Sequence, residues 1–383
     1  MRTAYLLLAA ILINCVAWAQ IPLIQTDASH AVIMDYDTGV VLFEKNGSEA
    51  MIPASMTKMM TAHVVFDRLA NGEISLSDKF VTSERAWSEG GWGSGGSTMG
   101  LAIGDSPTVE ELLRGVIVLS GNDACIVLAE GLSGSEEAFA DEMTALAQNL
   151  GLSSASFENS TGLDADGHRI SAIDLARLAR IQIQQFPDYY AFYNERSYEW
   201  RGISQPNRNP LLGRIEGVDG LKTGHLSVSG YGLTASADQN GERRIIVLNG
   251  MASEASRAQE AERLMRLAFS AFEKRTLGPE DGAIADIDVW VGTVRQVSVG
   301  LSETVDISGH KRAFAGAVAE VVYDGPVNAP VSAGEQIGEL IVTLDGQEPV
   351  RVPLVALADV SRLGFIGRVA EGLNRLMATD SSQ

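Results

Sequence analysis

Cysteine is scarce in this 383-residue sequence, which contains only Cys15 and Cys125. Cys15 lies in an N-terminal stretch that we expect to be removed, and Asn14 before it is untypical of a lipid-modified cysteine. The remaining cysteine has no partner, so the mature chain is predicted to contain no internal disulfide. Cys125 stands in an apolar run, residues 124–129, which favours core packing over reactivity.

Positive charge is also in short supply. The chain has 29 Lys and Arg against 49 Asp and Glu, a formal net charge of −20. Such a chain has little with which to neutralise phosphates, so no nucleic-acid partner is expected and any membrane contact must be local. The five histidines are scattered and no Cys-x-x-Cys or His-x-x-x-His spacing occurs. No metal site and no cofactor are therefore predicted.

A long hydrophobic run at the N-terminus is missing as well. The apolar stretch 4–16 follows Arg2 and is too short for a convincing membrane span. Ala17-Trp18-Ala19 then offers the small-x-small pattern of a cleavage site. We predict a secretory signal peptide over residues 1–19, cut after Ala19.

The body of the chain divides by its patterns into two domains and a tail. Over residues 20–275, strand-like runs near 30–44 and 218–250 alternate with helical periodicity at 109–119, 139–150, 173–186 and 255–273. This predicts an α/β (α+β) domain, a mainly antiparallel sheet flanked by helices. Residues 276–357 consist of short β-rich runs and predict a small all-β domain. Residues 358–383 form a separate amphipathic tail.

The tail permits two interpretations. On a helical wheel its apolar residues share one face, whereas Arg368, Glu371 and Arg375 lie opposite. The apolar face consists of Leu363, Phe365, Ile366, Val369, Ala370, Leu373, Leu376 and Met377. Three glycines each weaken the helix by about 1 kcal/mol in water. The segment 361–377 therefore either packs on its own domain or lies flat in a membrane interface as an anchor.

The glycine-rich stretch 84–104, which contains Trp87 and Trp92, is also open to two interpretations. Its composition is typical of a mobile loop near a functional site, and equally of a surface linker.

Ser55-x-x-Lys58 is the first candidate for chemistry. If Ser55 opens a helix, Lys58 lies one turn further on the same face, and its amine reaches the serine oxygen. A lysine activates a serine only when it is neutral, which requires burial and a second nearby cation. Alone the motif is weak, because a helix N-cap at Ser55 with Lys58 in solvent is the commoner origin of this spacing.

Two further segments supply the missing parts. In Ser120-Gly121-Asn122, Ser120 can relay a proton and Asn122 can present its amide to a substrate backbone. In Lys222-Thr223-Gly224, Lys222 is the second cation, and Gly224 leaves room for a substrate strand beside the sheet. The backbone N–H groups of Ser55 and His225 are candidates for an oxyanion hole.

These three segments, in this order, resemble the low-molecular-mass penicillin-binding proteins that act as D-alanyl-D-alanine carboxypeptidases. The resemblance extends to residues 162–167, 207–209 and 219–225, and to the β-rich domain and tail. It implies a fold like that of the penicillin-binding proteins and serine β-lactamases.

By position, the resemblance makes Ser55 the acylated nucleophile and Lys58 its general base. Ser120 and Lys222 become the proton relay, and Asn122 contacts the peptide amide. Thr223 would bind the terminal carboxylate with Arg208 and Arg257 nearby; these join Gly224 and His225 in the predicted binding set.

The implied function is removal of the terminal D-Ala from the peptidoglycan pentapeptide, with β-lactams as acylating inhibitors. The implied location is the periplasm, with peripheral attachment to the inner membrane through the C-terminal helix. A serine β-lactamase or esterase of the same fold and a D,D-endopeptidase are the alternatives. The lactamase would need a deacylating glutamate, and Glu158-Asn159 lacks the expected spacing.

Overall fold

The computed structural model describes residues 3–7 and 24–371 of the chain. The chain forms two compact units. One spans Leu23–Ala271, and the other comprises Phe272–Gln383 together with Met1–Pro22.

Strands and helices are numbered here along the chain. The strands are β1 Thr3–Leu7, β2 His30–Asp35, β3 Val41–Lys45, β4 Ala50–Met51, β5 Ile170–Ser171, β6 Ser197–Trp200, β7 Ile203–Pro206, β8 Val218–Leu226, β9 Gly230–Gln239, β10 Glu242–Met251, β11 Phe272–Leu277, β12 Ala285–Trp290, β13 Gln296–Leu301, β14 Val305–His310, β15 Val318–Asp324, β16 Val327–Asn328, β17 Gln336–Thr343 and β18 Val350–Ala356. The α-helices are α1 Lys58–Ala70, α2 Glu84–Gly90, α3 Val109–Ile117, α4 Asn122–Ser133, α5 Glu136–Asn149, α6 Ala172–Gln185, α7 Pro187–Tyr190, α8 Glu254–Ser270 and α9 Lys311–Ala315. Short 3-10 helices cover Ala54–Thr57, Trp92–Ser94, Ala191–Asn194 and Pro279–Asp281.

An antiparallel sheet of five strands, in the order β3-β2-β10-β9-β8, forms the centre of the first unit. Side chains alternate between the two faces of the sheet along each strand, and both faces are buried. Ile245 and Val247 of β10 belong to the large core with helices α1 and α3–α6. Ile246 and Leu248, which point the other way, are also buried, and α8 packs on β9 and β10. The predicted fold, an antiparallel sheet flanked by helices, is confirmed.

Helix caps account for several helix boundaries. Thr108 and Glu111 form a reciprocal capping box at the start of α3, and Ser135, Ser171 and Ser253 accept a backbone hydrogen bond at the starts of α5, α6 and α8. Each cap satisfies an N–H group that the first helical turn leaves unpaired. Ser55 makes no such cap. It lies inside a 3-10 turn, and α1 begins only at Lys58.

The second unit is built around a sheet in the order β1-β15-β17-β18-β13-β12-β16, with β11 paired to β14. Pairing is antiparallel except between β12 and β16. The predicted all-β character is confirmed, although the short helix α9 interrupts the strands. β11 starts at Phe272, so this unit begins before residue 276.

The two chain ends are described only in part. Residues 365–371 are helical, and the remainder of the predicted anchor, residues 372–377, lies outside the described residues. Thr3–Leu7 pairs with β15, whereas the predicted cleavage site at Ala19 lies outside the described residues. In the described part of the chain, no helix combines the length and the apolar character needed to cross a membrane.

Candidate active site

The candidate nucleophile lies in a tight turn that projects it beside its predicted base. In a 3-10 helix, side chains three residues apart are eclipsed, so the turn Ala54–Thr57 aligns Ser55 with Lys58. Lys58 Nζ lies 2.9 Å from Ser55 Oγ. The sequence predicted this contact from an α-helical turn, and the 3-10 turn achieves it more directly.

Lys58 is fully buried and has two further oxygen partners. Its Nζ lies 2.8 Å from Asn122 Oδ1 and 2.6 Å from the Thr161 carbonyl oxygen. Burial lowers the pKa of Lys58, and the nearby acidic groups Asp123 and Glu136 partly oppose this shift.

The second lysine stands on β8, at the edge of the sheet. Lys222 Nζ lies 2.9 Å from Ser120 Oγ and 3.2 Å from the Thr223 carbonyl oxygen. Burial, followed by the positive charge of Lys58, lowers the pKa of Lys222 well below its usual value. The sequence predicted that burial and the charge of Lys222 together keep Lys58 neutral; in the structure, burial is the main cause of the lowered pKa of Lys58. Repulsion between two charges is mutual, so neither amine is favoured as a full cation.

Asn122 is the first residue of α4, and its side-chain oxygen and nitrogen face different groups. The side-chain oxygen accepts from Lys58. The backbone N–H of Asn122 donates to the Ser97 carbonyl at 2.9 Å. A Cβ placed on Gly96 would lie 2.6 Å from Asn122 Nδ2, so the amide nitrogen faces the glycine-rich segment. The N–H groups of this amide are therefore what a substrate carbonyl in the cleft would meet.

Asp123 fixes the end of the glycine-rich segment, a role that the sequence analysis missed. Its carboxylate is fully buried and accepts from Thr98 Oγ1 and from the backbone N–H groups of Met99, Gly100 and Leu101, at 2.7–3.0 Å. The only signal in the sequence was an acidic residue in the first turn of a helix, which is common.

The Thr161 carbonyl, a partner of Lys58, is also held by residues that the sequence analysis did not select. Asn159 Oδ1 accepts from the backbone N–H groups of Thr161 and Gly162 at 3.2 and 2.7 Å. Nearby, His168 Nε2 lies 2.7 Å from Thr57 Oγ1, and His168 Nδ1 accepts from the Glu158 backbone N–H at 3.1 Å. Because Nδ1 is an acceptor, Nε2 carries the proton and donates to Thr57.

A cleft of about 530 Å³ opens over these groups. Eight of the ten predicted site residues line it, and Lys58 and Lys222 lie beneath, bonded to Ser55 and Ser120. The eight are Ser55, Ser120, Asn122, Thr223, Gly224, His225, Arg208 and Arg257. Ser94, Gly95, Gly96 and Ser97 also line the cleft, so part of the glycine-rich stretch borders the site.

Gly224 also has a role that the sequence did not predict. A Cβ at this position would lie 2.6 Å from the Pro53 carbonyl oxygen and 3.2 Å from Ala54 Cβ. The glycine therefore allows the edge strand to approach the turn that carries Ser55.

Two arginines line the cleft, with different degrees of burial. Arg257, on α8, is 4% exposed; its Nη2 donates to Glu254 at 3.1 Å, and its Nε has no hydrogen-bond partner among the described residues. Burial lowers the pKa of Arg257, and Glu254 opposes the shift. Arg208 is exposed and donates to Gln205 Oε1 at 3.2 Å. His225 is exposed and its ring stacks on Tyr231, with centroids 3.8 Å apart.

Comparison with known proteins gives two family matches. Residues 16–252 match the family described as D-alanyl-D-alanine carboxypeptidase, and residues 272–362 match the penicillin-binding protein 5 C-terminal domain.

Individual proteins match over most of the chain. D-alanyl-D-alanine carboxypeptidase DacC of Escherichia coli strain K12 is 37% identical, covering 90% of this chain and 86% of the relative. Penicillin-binding protein 5 of Haemophilus influenzae has a solved structure with a TM-score of 0.75 and 34% identity, covering 89% of this chain and all of that one. Penicillin-binding protein D2 of Listeria monocytogenes, solved in the ampicillin-bound form, has a TM-score of 0.57 and 28% identity over 65% of this chain and all of that one.

Proposed function

We propose that this chain, which belongs to the D-alanyl-D-alanine carboxypeptidase family and is a serine-type hydrolase of that class, removes the terminal D-Ala of peptidoglycan pentapeptide through an acyl-enzyme on Ser55. The observation that carries the assignment is the 2.9 Å approach of Lys58 Nζ to Ser55 Oγ at a buried position. A buried amine is more easily kept neutral, and only a neutral amine can take the serine proton.

The contacts of Lys58 suit this role. A neutral amine has two N–H groups and one lone pair. The Asn122 and Thr161 oxygens accept the two N–H groups, and the lone pair is then directed to the Ser55 hydroxyl hydrogen. Asn122 and Thr161 thus orient the base in addition to any contact with substrate.

In the first half-reaction, Ser55 Oγ bonds to the carbonyl carbon of the penultimate D-Ala while Lys58 takes the hydroxyl proton. The backbone N–H groups of Ser55 and His225 stabilise the oxyanion. The C–N bond then breaks as Ser120, whose hydroxyl is held by Lys222, passes the proton taken by Lys58 to the leaving amine. In the second half-reaction water gives a proton to Lys58 while its oxygen bonds to the acyl carbon. The ester C–O bond then breaks, Lys58 returns the proton to Ser55 Oγ, and the shortened peptide leaves.

We assign the terminal carboxylate of the substrate to Thr223, Arg208 and Arg257. Arg257 is buried and its Nε has no hydrogen-bond partner within the described part of the chain, so contact with an anionic group of the substrate would stabilise it. The β-lactamase alternative gains no support from Glu158, because this residue is exposed and does not line the cleft.

Release of D-Ala tests the assignment. The full-length protein without its signal is incubated with a pentapeptide ending in D-Ala-D-Ala, and free D-Ala is measured. We expect release by the wild type and none by Ser55→Ala. Hydrolysis of a cross-linked peptide dimer into two peptides, without D-Ala release from the free pentapeptide, would instead favour the endopeptidase alternative.

We further propose export by the signal at residues 1–19 to the periplasm and attachment to the outer face of the inner membrane through the tail. Phe365, Ile366 and Val369 are 74%, 83% and 48% exposed, which supports an apolar face that is not packed on the β-rich unit. A face of this kind favours insertion at a membrane interface. If the signal is cut after Ala19, the mature sheet lacks β1 and β15 becomes its edge.

A further inference from the structure

The walls of the cleft carry charges of opposite sign. On the α8 wall, Arg257 and Glu254 form an ion pair at 3.1 Å, so this acid already has a cleft cation as partner. Glu89 lines the same cleft from α2, beside the glycine-rich segment. Among the described residues that line the cleft, Glu89 is thus the acid without a basic partner in the cleft itself.

Among the residues that the structure describes, Glu89 has one ion pair, and this pair does not neutralise it. Its partner Arg85, which lies outside the cleft, contacts Glu89 at 3.2 Å but also Glu137 at 2.9 Å and Glu136 at 3.3 Å. One positive charge thus faces three negative charges, which leaves the cluster at −2. Arg85 bonds both carboxylate oxygens of Glu137, at 2.9 and 3.1 Å, and this contact lowers the pKa of Glu137 to about 2. The Glu89 side chain is 54% exposed and available to a further cation.

A bound stem peptide would bring its third residue close to Glu89. Ser55 attacks the carbonyl carbon of the penultimate D-Ala, and the Cα of the residue before it lies about 3.8 Å from the Cα of that D-Ala. Glu89 lines the cleft and precedes Gly90, where a Cβ would lie 2.7 Å from the carbonyl carbon of Asn122, so this end of α2 packs on the residue predicted to contact the peptide amide. A long side chain on the third residue has room within the cleft of about 530 Å³.

We propose that Glu89 is a specificity-determining residue that binds the side-chain ammonium of the third residue of the stem peptide, immediately before D-Ala-D-Ala. An ammonium is a compact cation with three donors on a flexible stem, and it suits a half-exposed carboxylate. The inference rests on the proposed function, because it deepens the substrate assignment of the same site.

Two pentapeptides that differ only at the third residue test the proposal. One carries L-Lys with a free amine, and the other carries the same lysine acetylated at Nζ. The wild type should show a kcat/KM for D-Ala release about three- to tenfold higher for the free amine at low salt, and the preference should shrink as ionic strength rises. In Glu89→Gln, the ratio should fall to about one.

Glu84→Gln is the matched control. It removes one negative charge from the same helix α2, but Glu84 is exposed and does not line the cleft, so the variant should keep the preference. The ratio compares two substrates within one preparation, so partial loss of folded protein cancels. In a second variant, Glu89→Lys, a peptide with glutamate at the third position should become preferred over the lysine peptide.

Equal kcat/KM for the two peptides with the wild type would overturn the proposal. So would a preference that disappears in Glu84→Gln as fully as in Glu89→Gln, or a lysine preference that survives in Glu89→Lys. Failure of the proposed function gives a different result, since neither peptide would then release D-Ala with any of the proteins.

Discussion

At the scale of single residues, Lys58 and Lys222 show how burial disfavours the positive charge of a lysine side chain. Both side chains are almost fully buried, and burial is the largest cause of the lowered pKa of each. A neutral lysine retains a lone pair, which is what general-base catalysis requires. The two amines differ in their partners, because Lys58 contacts Ser55 and Lys222 contacts Ser120.

Substitutions at the two lysines should therefore have different effects. Lys58→Ala should abolish acylation of Ser55, because no other amine lies at hydrogen-bond distance from its oxygen among the described residues. Lys222→Arg should keep more acylation than Lys222→Ala, because an arginine can still donate a hydrogen bond to Ser120, whereas alanine removes that donor. The acylation rate by a β-lactam, followed by stopped-flow or quench, measures both effects. Equal residual rates for the two Lys222 variants would show that a donor at this position does not matter.

His168 makes stability depend on pH. Its ring is completely buried, and burial lowers the pKa of His168 to about 4 from a usual 6.5. The unfolded state therefore binds the proton first, and the free energy of unfolding falls as pH drops from about 6.5 towards 4. For this group alone we expect a loss of about 2 kcal/mol between pH 7 and pH 5.

His168→Gln tests that prediction, because a glutamine amide can still donate to Thr57 and accept from the Glu158 N–H but does not titrate. Urea unfolding at pH 7 and pH 5 should show a smaller pH-dependent loss in this variant than in the wild type. An identical loss in both proteins would mean that other groups, such as the buried His63, are responsible.

At the scale of elements, the glycine-rich segment acts as one wall of the cleft. Asp123 holds residues 98–101, and Asn122 receives the segment through its backbone bond to Ser97. Substitutions within the segment should thus differ by position. Gly96 faces the Asn122 amide, whereas a Cβ on Gly93 would meet nothing within 4 Å.

Gly96→Ala should therefore lower kcat/KM for the pentapeptide by about tenfold, because the Asn122 amide must move and a substrate hydrogen bond of roughly 1–2 kcal/mol weakens. Gly93→Ala, in the same segment, should leave kcat/KM within about twofold of the wild type. Steady-state measurement of kcat/KM for both variants tests this prediction. A similar loss in both would mean that loop flexibility, rather than contact with Asn122, governs activity.

The sequence predicted the elements better than their exact geometry. Periodicity and caps indicated helices such as α3 and α6, since each local pattern agreed with the final packing. The motifs likewise predicted which residues lie around the cleft. The 3-10 turn at Ser55 and the close contact of Gly224 with Pro53 depend on tertiary approach between distant segments, which local patterns do not record. The hydrogen bonds that Asp123 accepts from Met99 and Leu101 were not predicted for the same reason, because these partners lie over 20 residues earlier in the chain.

At the scale of the whole molecule, the acidic body and the apolar tail predict the character of membrane binding. With a net charge of −20, the chain gains little from anionic lipid, so burial of apolar side chains should dominate. Ser361 and Leu363 bond to residues 293 and 291 of the β-rich unit, so a truncation should be made after Gly364 to spare these contacts.

Removal of residues 365–383 should release the protein from liposomes while D-Ala release from soluble peptide continues. Phe365→Ser with Ile366→Ser should weaken liposome binding, and Val294→Ser, at a half-exposed apolar position of the same unit, serves as the control. Co-sedimentation at low and high salt measures binding. Full-length protein that stays in the supernatant under both conditions would contradict the anchor and favour packing of the tail on its own unit.

The central claim, that Ser55 is the acylated nucleophile, is tested most directly by intact-protein mass spectrometry after exposure to a β-lactam. A β-lactam resembles the D-Ala-D-Ala amide and should leave a stable ester. The account predicts one adduct per chain, which peptide mapping places on Ser55 and which Ser55→Ala does not form. An adduct on another residue, or no adduct with several β-lactams, would contradict it.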